Sequence, residues 1–504
     1  MSVKTILFTL PGVIAAVLLA GCSSVENSHR QKAGMMADYV AGNNAAVLDE
    51  INYKLREPAW YNSSVVHTGD EVMWRLEAGS MNFHIGHYRE CISQFDAAEH
   101  LIADYDDRAV VSVRDAGAEA GTAVTNLNTL PYRGFCRDRI ALSIYKSLAY
   151  LGIGQEQSFR AQIHRLRDDQ KDVQEKYRKF FEQEQKELDN QRRKHPVEAR
   201  KAAASASENS MTGNTQNAEF AAGLKNVREI ANRGYGNFLN PAAIFLSGLG
   251  NLRDGNFDNA RIDFKRLCEA MPNNPVFKQY YATALALTRR PLPPELQDVK
   301  PFDFPVDRDC VYVIFANGRS AAFRQIAIYF PIMTTWPMLE FYPAPFRRLY
   351  ANADGKQYES VILADMDGII AQEFKERLPG MIMRIVLSTL IKEAAYHASM
   401  IAIERSNMDG TAKAVALASV AVGGTAYRAA MNTADTRSWE ILPKEFQLTQ
   451  FPMPKNREIT LSTAGAPRGD IKVTLPQNCR SAIVWVGAPS PRNVICHVLP
   501  IPSK

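Results

Sequence analysis

Gly248-Leu249-Gly250-Asn251-Leu252-Arg253-Asp254-Gly255-Asn256-Phe257-Asp258-Asn259-Ala260-Arg261-Ile262-Asp263-Phe264-Lys265-Arg266-Leu267-Cys268-Glu269-Ala270-Met271-Pro272 is the stretch from which the fold is read. Gly248, Gly255, Phe257, Ala260, Phe264, Leu267 and Pro272 set small and large residues at the spacing of a tetratricopeptide-like (TPR-like) helix pair. Small residues let two antiparallel helices approach, and aromatics fill the gaps between them. Asn273-Asn274-Pro275 then opens a further helix, Val276 to Thr288.

Outward from there, Gly79 to Glu99 repeats the pattern through Gly79, Gly86, Tyr88, Cys91, Phe95 and Ala98. Arg137 to Leu151 is helical by periodicity. Residues 31–290 therefore read as an irregular TPR-like helical solenoid. Two segments interrupt it. Residues 155–193 are almost continuously charged, with a thin apolar stripe through Phe159, Ile163, Leu166, Val173, Tyr177, Phe180 and Leu188, which predicts one long helix. Residues 195–217 turn to Ala, Ser, Asn and Gly and read as a flexible linker.

Pro291 to Pro305 marks a boundary. Beyond it, residues 306–504 read as an α+β domain of short strands with two long helices. The strands begin with Cys310-Val311-Tyr312-Val313-Ile314-Phe315, and the helices are Asp367 to Arg405 and Thr411 to Met431. Pro379-Gly380 should kink or split the first helix. The fold class is thus mixed: an all-α N-terminal half and an α+β C-terminal half.

The opening residues predict the compartment. Lys4 precedes an apolar run from Ile6 to Ala20, and Leu19-Ala20-Gly21-Cys22 follows the pattern of a lipoprotein cleavage site. The run is about fifteen residues and is broken by Pro11-Gly12, too short for a stable span of roughly 30 Å. Residues 1–21 are therefore a signal peptide, Cys22 the lipidated residue, and 22–30 a tether. Several acyl chains on one cysteine give stable membrane anchoring. Ser23, where an Asp would favour the inner membrane, is similar to lipoproteins sorted to the Gram-negative outer membrane.

Composition bounds the rest. A chain of 504 residues, 46% hydrophobic and 22% charged, has cores to bury and is not intrinsically disordered. A net charge of +5 is too small to argue for a nucleic-acid partner. Apart from Cys22, six cysteines remain, an even number that permits disulfides in an oxidising compartment. Cys479 and Cys496, in or beside neighbouring strands, are the best-placed pair. There is no C-x-x-C, G-x-S-x-G, H-E-x-x-H or Walker loop, so no cofactor or metal is expected.

Ala434-Asp435-Thr436-Arg437-Ser438-Trp439 with Leu442-Pro443 resembles a motif of a family of uncharacterised bacterial lipoproteins with TPR-like N-terminal halves. The resemblance extends to Tyr132-Arg133-Gly134 with Asp138-Arg139, to Ser147-Leu148-Ala149-Tyr150-Leu151, and to Asp365-x-Asp367, Phe374, Arg384 and Lys392. Asp138 stands where the family commonly has Glu. The resemblance implies an envelope protein found beside lipoproteins similar to penicillin-binding-protein activators, and hence partners among regulators of peptidoglycan synthesis. It implies no activity.

The chemistry-bearing residues have two readings each. Asp365 and Asp367 could hold a cation or cap a helix, and the cap is the simpler. Asp435, Arg437 and Trp439 read as a structural corner, with a catalytic group as the alternative. Val422-Gly423-Gly424-Thr425 lies in a helical pattern and reads as close helix packing. Arg384 and Lys392 on the long helix, and His84, His87 and Arg89 on the first repeat, are candidate binding residues. The expected function is a lipid-anchored periplasmic scaffold or adaptor for other envelope proteins. The alternative is a cell-wall hydrolase using Asp365, Asp367, Asp435 and Arg437.

Overall fold

The structure is a computed structural model that describes residues 27–112, 131–205, 207–236, 239–329, 333–431, 433–463 and 469–501. Cys22 and the signal peptide lie outside the described residues. The helical part comprises α1 (Ser28–Gln31), α2 (Ala33–Ala41), α3 (Asn44–Lys54), α4 (Glu71–His84), α5 (Tyr88–Ser112), α6 (Cys136–Gly152), α7 (Glu156–Lys194), α8 (Pro196–Ser205), α9 (Glu208–Thr212), α10 (Ala218–Ala231), α11 (Pro241–Arg253), α12 (Phe257–Ala270) and α13 (Pro275–Leu287). Then follow β1 (Cys310–Asn317), β2 (Ala322–Tyr329), β3 (Met333–Glu340), β4 (Leu349–Ala353), β5 (Lys356–Glu359), β6 (Val361–Asp365), α14 (Met366–Glu404), α15 (Gly410–Met431), β7 (Glu445–Pro452), β8 (Glu458–Thr463), β9 (Ile471–Thr474), β10 (Ser481–Ser490) and β11 (Asn493–Ile501). The fold is mixed, with helices dominating the N-terminal part and sheets gathered in the C-terminal part.

The stretch that opens the sequence reading forms the hairpin α11–α12. A Cβ on Gly248 would stand 2.8 Å from the Phe264 ring, so the glycine is what lets the helices close. The same relation holds between Gly79 and Phe95 in α4–α5. Asn274 caps α13 by accepting from Val276 N (3.1 Å) and Phe277 N (3.4 Å), with Pro275 in the first turn.

The main sheet has the order β11-β10-β1-β7-β6, with β1 and β10 parallel and the other neighbours antiparallel. Every residue of β1 is buried. Val311, Val313 and Phe315 face a second sheet, β5-β4-β8-β9, through Leu349, Ala351, Ile459 and Leu461. Tyr312, Ile314 and Ala316 face the helices, in one core with Phe83, Tyr145, Phe245 and Trp485. The strand lies between two apolar layers, which is why it reads as a continuous apolar run. A third cluster joins the β2–β3 hairpin to α8, α10 and α14 through Phe220, Trp336 and Phe374.

The structure differs from the sequence reading in several places. A TPR-like solenoid is not what the architecture displays: α4, α6 and α11 close onto the main sheet within one hydrophobic core. The 195–217 segment is not an open linker. It forms α8, α9 and a 3-10 turn, with Ala202 and Met211 fully buried. Its small polar residues are caps: Ser207 accepts from Ser210 N, Asn214 accepts from Gln216 N, and the Asn217 side chain joins Met211 O to Tyr329. α14 is not split at Pro379 but runs through it as one element. The end of the tether is packed rather than free: Asn27 and Ser28 are buried. Cys479 and Cys496 are both free thiols. Cys479 donates to Pro476 O (3.2 Å) before β10, whereas Cys496 stands opposite Val486 within the β10–β11 ladder.

Candidate functional site

A cleft opens where the helices meet the carboxyl ends of β1 and β10, the position at which open parallel sheets form crevices. The cleft there is lined by Tyr39, Ser80, His84, Tyr145, Trp485 and Gly487, and its volume is about 290 Å³ counting its open mouth. Its interior has room for roughly one water. Gly487 keeps it open: a Cβ there would stand 2.9 Å from His84 Nδ1 and 3.3 Å from Trp485 Nε1.

His84, expected on an exposed face, is 5% exposed at the end of α4 and belongs to this cleft. The strand hairpin β10–β11 covers it. The Asn493 amide donates to Tyr39 O (2.7 Å) and Asn44 Oδ1 (2.9 Å), so its Oδ1 is the acceptor facing His84 Nε2 at 3.1 Å. Nε2 therefore carries the proton, and Nδ1 is left as a bare acceptor toward Gly487. Burial pushes His84 down to about 4, so the ring is neutral near pH 7. Burial likewise raises the Tyr39 and Tyr145 phenols. The site can thus accept one hydrogen bond at His84 Nδ1 and donate from neutral groups. Ser80 is not poised as a nucleophile, because its hydroxyl donates within α4 and accepts from Trp439 Nε1 at 3.0 Å.

The Asp435–Trp439 motif lies beside this cleft as a fastening. Asp435 accepts its own loop's Arg437 N (3.1 Å) and pairs with the Arg437 guanidinium (2.9 and 2.8 Å). Burial pushes Asp435 up, but the Arg437 charge outweighs it and holds the carboxyl below its usual range. Arg437 also reaches Asp70 (3.2 Å), and Trp439 packs against Phe95 and Tyr145. Thr436 donates to Asn27 Oδ1 at 2.5 Å, which ties the start of the described chain to the motif.

Below the motif is a buried charge cluster that the sequence reading missed. Lys32 is fully buried and contacts Glu77 (2.8 Å), Ser438 O (2.5 Å) and Glu440 (3.5 Å). Glu77 also accepts from Glu440 N (2.8 Å) and Ile441 N (3.0 Å). Burial alone would drive Lys32 down, but the two carboxylates hold its ammonium above the usual range. A lysine between two short helices and a glutamate on a helix look solvated in a sequence. Only their spacing across Met35, Met36 and Tyr39, or Trp74 and Met81, hints otherwise.

The remaining candidates are dispersed. Asp365 caps α14 by accepting from Gly368 N (3.0 Å) and pairs with Arg233 (3.2 Å). Asp367 is buried, accepts from Ala321 N (2.7 Å) and pairs with Lys444. Among the described residues neither makes a hydrogen bond or ion pair with Asp435 or Arg437, and none of the four lines the cleft. Among the described residues no group of His, Cys, Asp and Glu is placed to hold a metal ion. Arg384 pairs with Glu184 (3.4 Å), while burial pushes Lys392 down to about 8. His87 and Arg89 are exposed at the start of α5. Val422–Thr425 lies within α15. No described helix is long and apolar enough to cross a membrane. No known protein family, curated protein or solved structure matches the chain.

Proposed function

We propose that this chain is a lipid-anchored scaffold or adaptor of the bacterial cell envelope, held by acyl chains on Cys22 at the periplasmic face of the outer membrane. The observation that carries the reading is the pairing of Leu19-Ala20-Gly21-Cys22 with the fastening of Asn27 to Thr436 only five residues later. Five residues reach at most roughly 18 Å, so the anchor would hold the folded body close to the bilayer instead of on a long leash. The hairpins α4–α5 and α11–α12, each closed by a glycine under an aromatic ring, support TPR-like helix packing, and the exposed residues at the start of α5 are its binding elements. Partners among envelope proteins, including regulators of peptidoglycan synthesis, fit this placement.

Metabolic labelling with an alkyne fatty acid tests the anchor. Cys22→Ala should abolish labelling, and continued labelling at the same level would end the reading. A photo-crosslinker at His87 or Arg89 in living cells tests the scaffold role. It should capture a defined envelope protein only when Cys22 is intact.

A further inference from the structure

We propose that the loop carrying Trp60 and Tyr61 is a membrane-docking tip that enters the head-group layer of the bilayer anchoring Cys22. This rests on the lipoprotein reading above. Trp60 is 96% exposed and Tyr61 73%, whereas Trp74, Trp336, Trp439 and Trp485 are all buried. Among the described residues no other Phe, Tyr or Trp is as exposed as either member of this adjacent pair.

The loop is built to present these rings. Asn62 Oδ1 accepts from Ala59 N (3.2 Å) and Ser64 N (3.1 Å), and its amide donates to Glu57 O (2.9 Å). Ser64 Oγ donates to Arg56 O (2.7 Å), and Val65 N donates to Lys54 O (2.9 Å), closing the base. Trp60 and Tyr61 meet edge to face at 5.6 Å. At the base of the loop Arg56 lies 3.6 Å over the half-exposed Tyr53 ring, while Lys54 turns back over the buried Trp74 ring at 5.7 Å. Glu57 is the acidic exception. Aromatic bodies with polar edges, flanked by long cationic side chains, are the chemistry of the bilayer interface.

The position of the anchor identifies the bilayer as the occupant. The loop ends at Asp70, which Arg437 joins to the motif holding Asn27. Ser28 Oγ lies 3.2 Å from Met73 Sδ in the first turn of α4. The chain therefore leaves toward Cys22 at the same end of α4 that carries the tip. With Cys22 at most roughly 18 Å from Asn27, the bilayer surface stays within reach of that end. Tethering then makes docking an intramolecular event, so a two-ring tip suffices.

The test uses the mature acylated protein reconstituted in vesicles of phosphatidylethanolamine and phosphatidylglycerol, with brominated lipid as the quencher. The emission of Trp60 is the difference between wild type and Trp60→Phe. That difference should be at least halved by brominated lipid and shielded from iodide. Trp60→Ala with Tyr61→Ala should lose the effect at unchanged melting temperature. A Trp60 signal as open to iodide as in vesicle-free protein would overturn the proposal, as would shielding that grows with protein concentration without lipid and so marks a second copy. The mass of the N-terminal peptide reports acylation separately. If Cys22 proves unmodified, the anchoring reading fails, and docking, which depends on the tether, falls with it.

Discussion

Replacing Lys32 by Met should be among the most damaging single changes in the molecule, for a reason specific to its surroundings. The ammonium is fully buried between Glu77 and Glu440 and donates to Ser438 O. Methionine fills the space but leaves Glu77 without a cation and Glu440 with only the His29 ring, 3.6 Å away. Removing one partner of a buried ion pair costs about 3–5 kcal/mol, and charged hydrogen bonds contribute about 1.5–3 kcal/mol each to such a loss. The loss should depend on pH with a definite sign. In the wild type, Lys32 has a folded pKa raised above its unfolded one. Its contribution is full below the unfolded value and lost only as pH rises through the folded value, so it is constant near neutrality. Burial already raises Glu77 in the wild type, and removing Lys32 raises it further. A carboxyl with a raised folded pKa gains a proton in the folded state, so the variant should recover stability as pH falls toward the ordinary glutamate range. Urea midpoints at about pH 8 and about pH 5 measure this. Adding Glu77→Gln should return part of the loss, which makes the pair non-additive. A loss under about 1 kcal/mol, or one unchanged between the two pH values, would refute the buried-charge account.

Asp367 should show the same sign in the wild type. Burial, opposed by Lys444, pushes it up to about 6, so its charged form carries a penalty above that pH which fades as pH falls toward the ordinary aspartate value. Asp367→Asn should flatten this part of the stability–pH profile, and an unaltered profile would count against it. Gly248→Ala should cost about 1–3 kcal/mol by overpacking, because the new methyl would sit 2.8 Å from Phe264; thermal melting checks it, and a neutral result would mean that α11 and α12 can separate freely.

Elements whose period is set by a local contact were legible. Gly248 under Phe264 and the apolar run of β1 could be read because the same residues that carry the pattern make the contact. The candidate site was legible only in fragments. The Asp435–Trp439 motif stands out by composition, but its partners Asn27, Asp70, Glu77 and Ser80 lie hundreds of residues away, and no local spacing announces them. His84 reads as a binding residue because its cover, Asn493 and Gly487, comes from near the other end of the sequence. The 195–217 segment misled because caps and linkers draw on the same small polar residues.

The place of β1 also fixes when the molecule can become itself. Its parallel neighbour begins pairing at Val311 with Ala482, 171 positions further on (482 − 311), and Asn27 meets Thr436 across 409 positions. Contacts this distant in sequence slow folding, because long loops must close before any reward arrives. The central strand has no partner for its β10 edge until Ala482 has been made, and Asn27 lacks its distant partner until Thr436 has. A nascent chain of this design emerges with its main sheet incomplete and its central strand open along one edge.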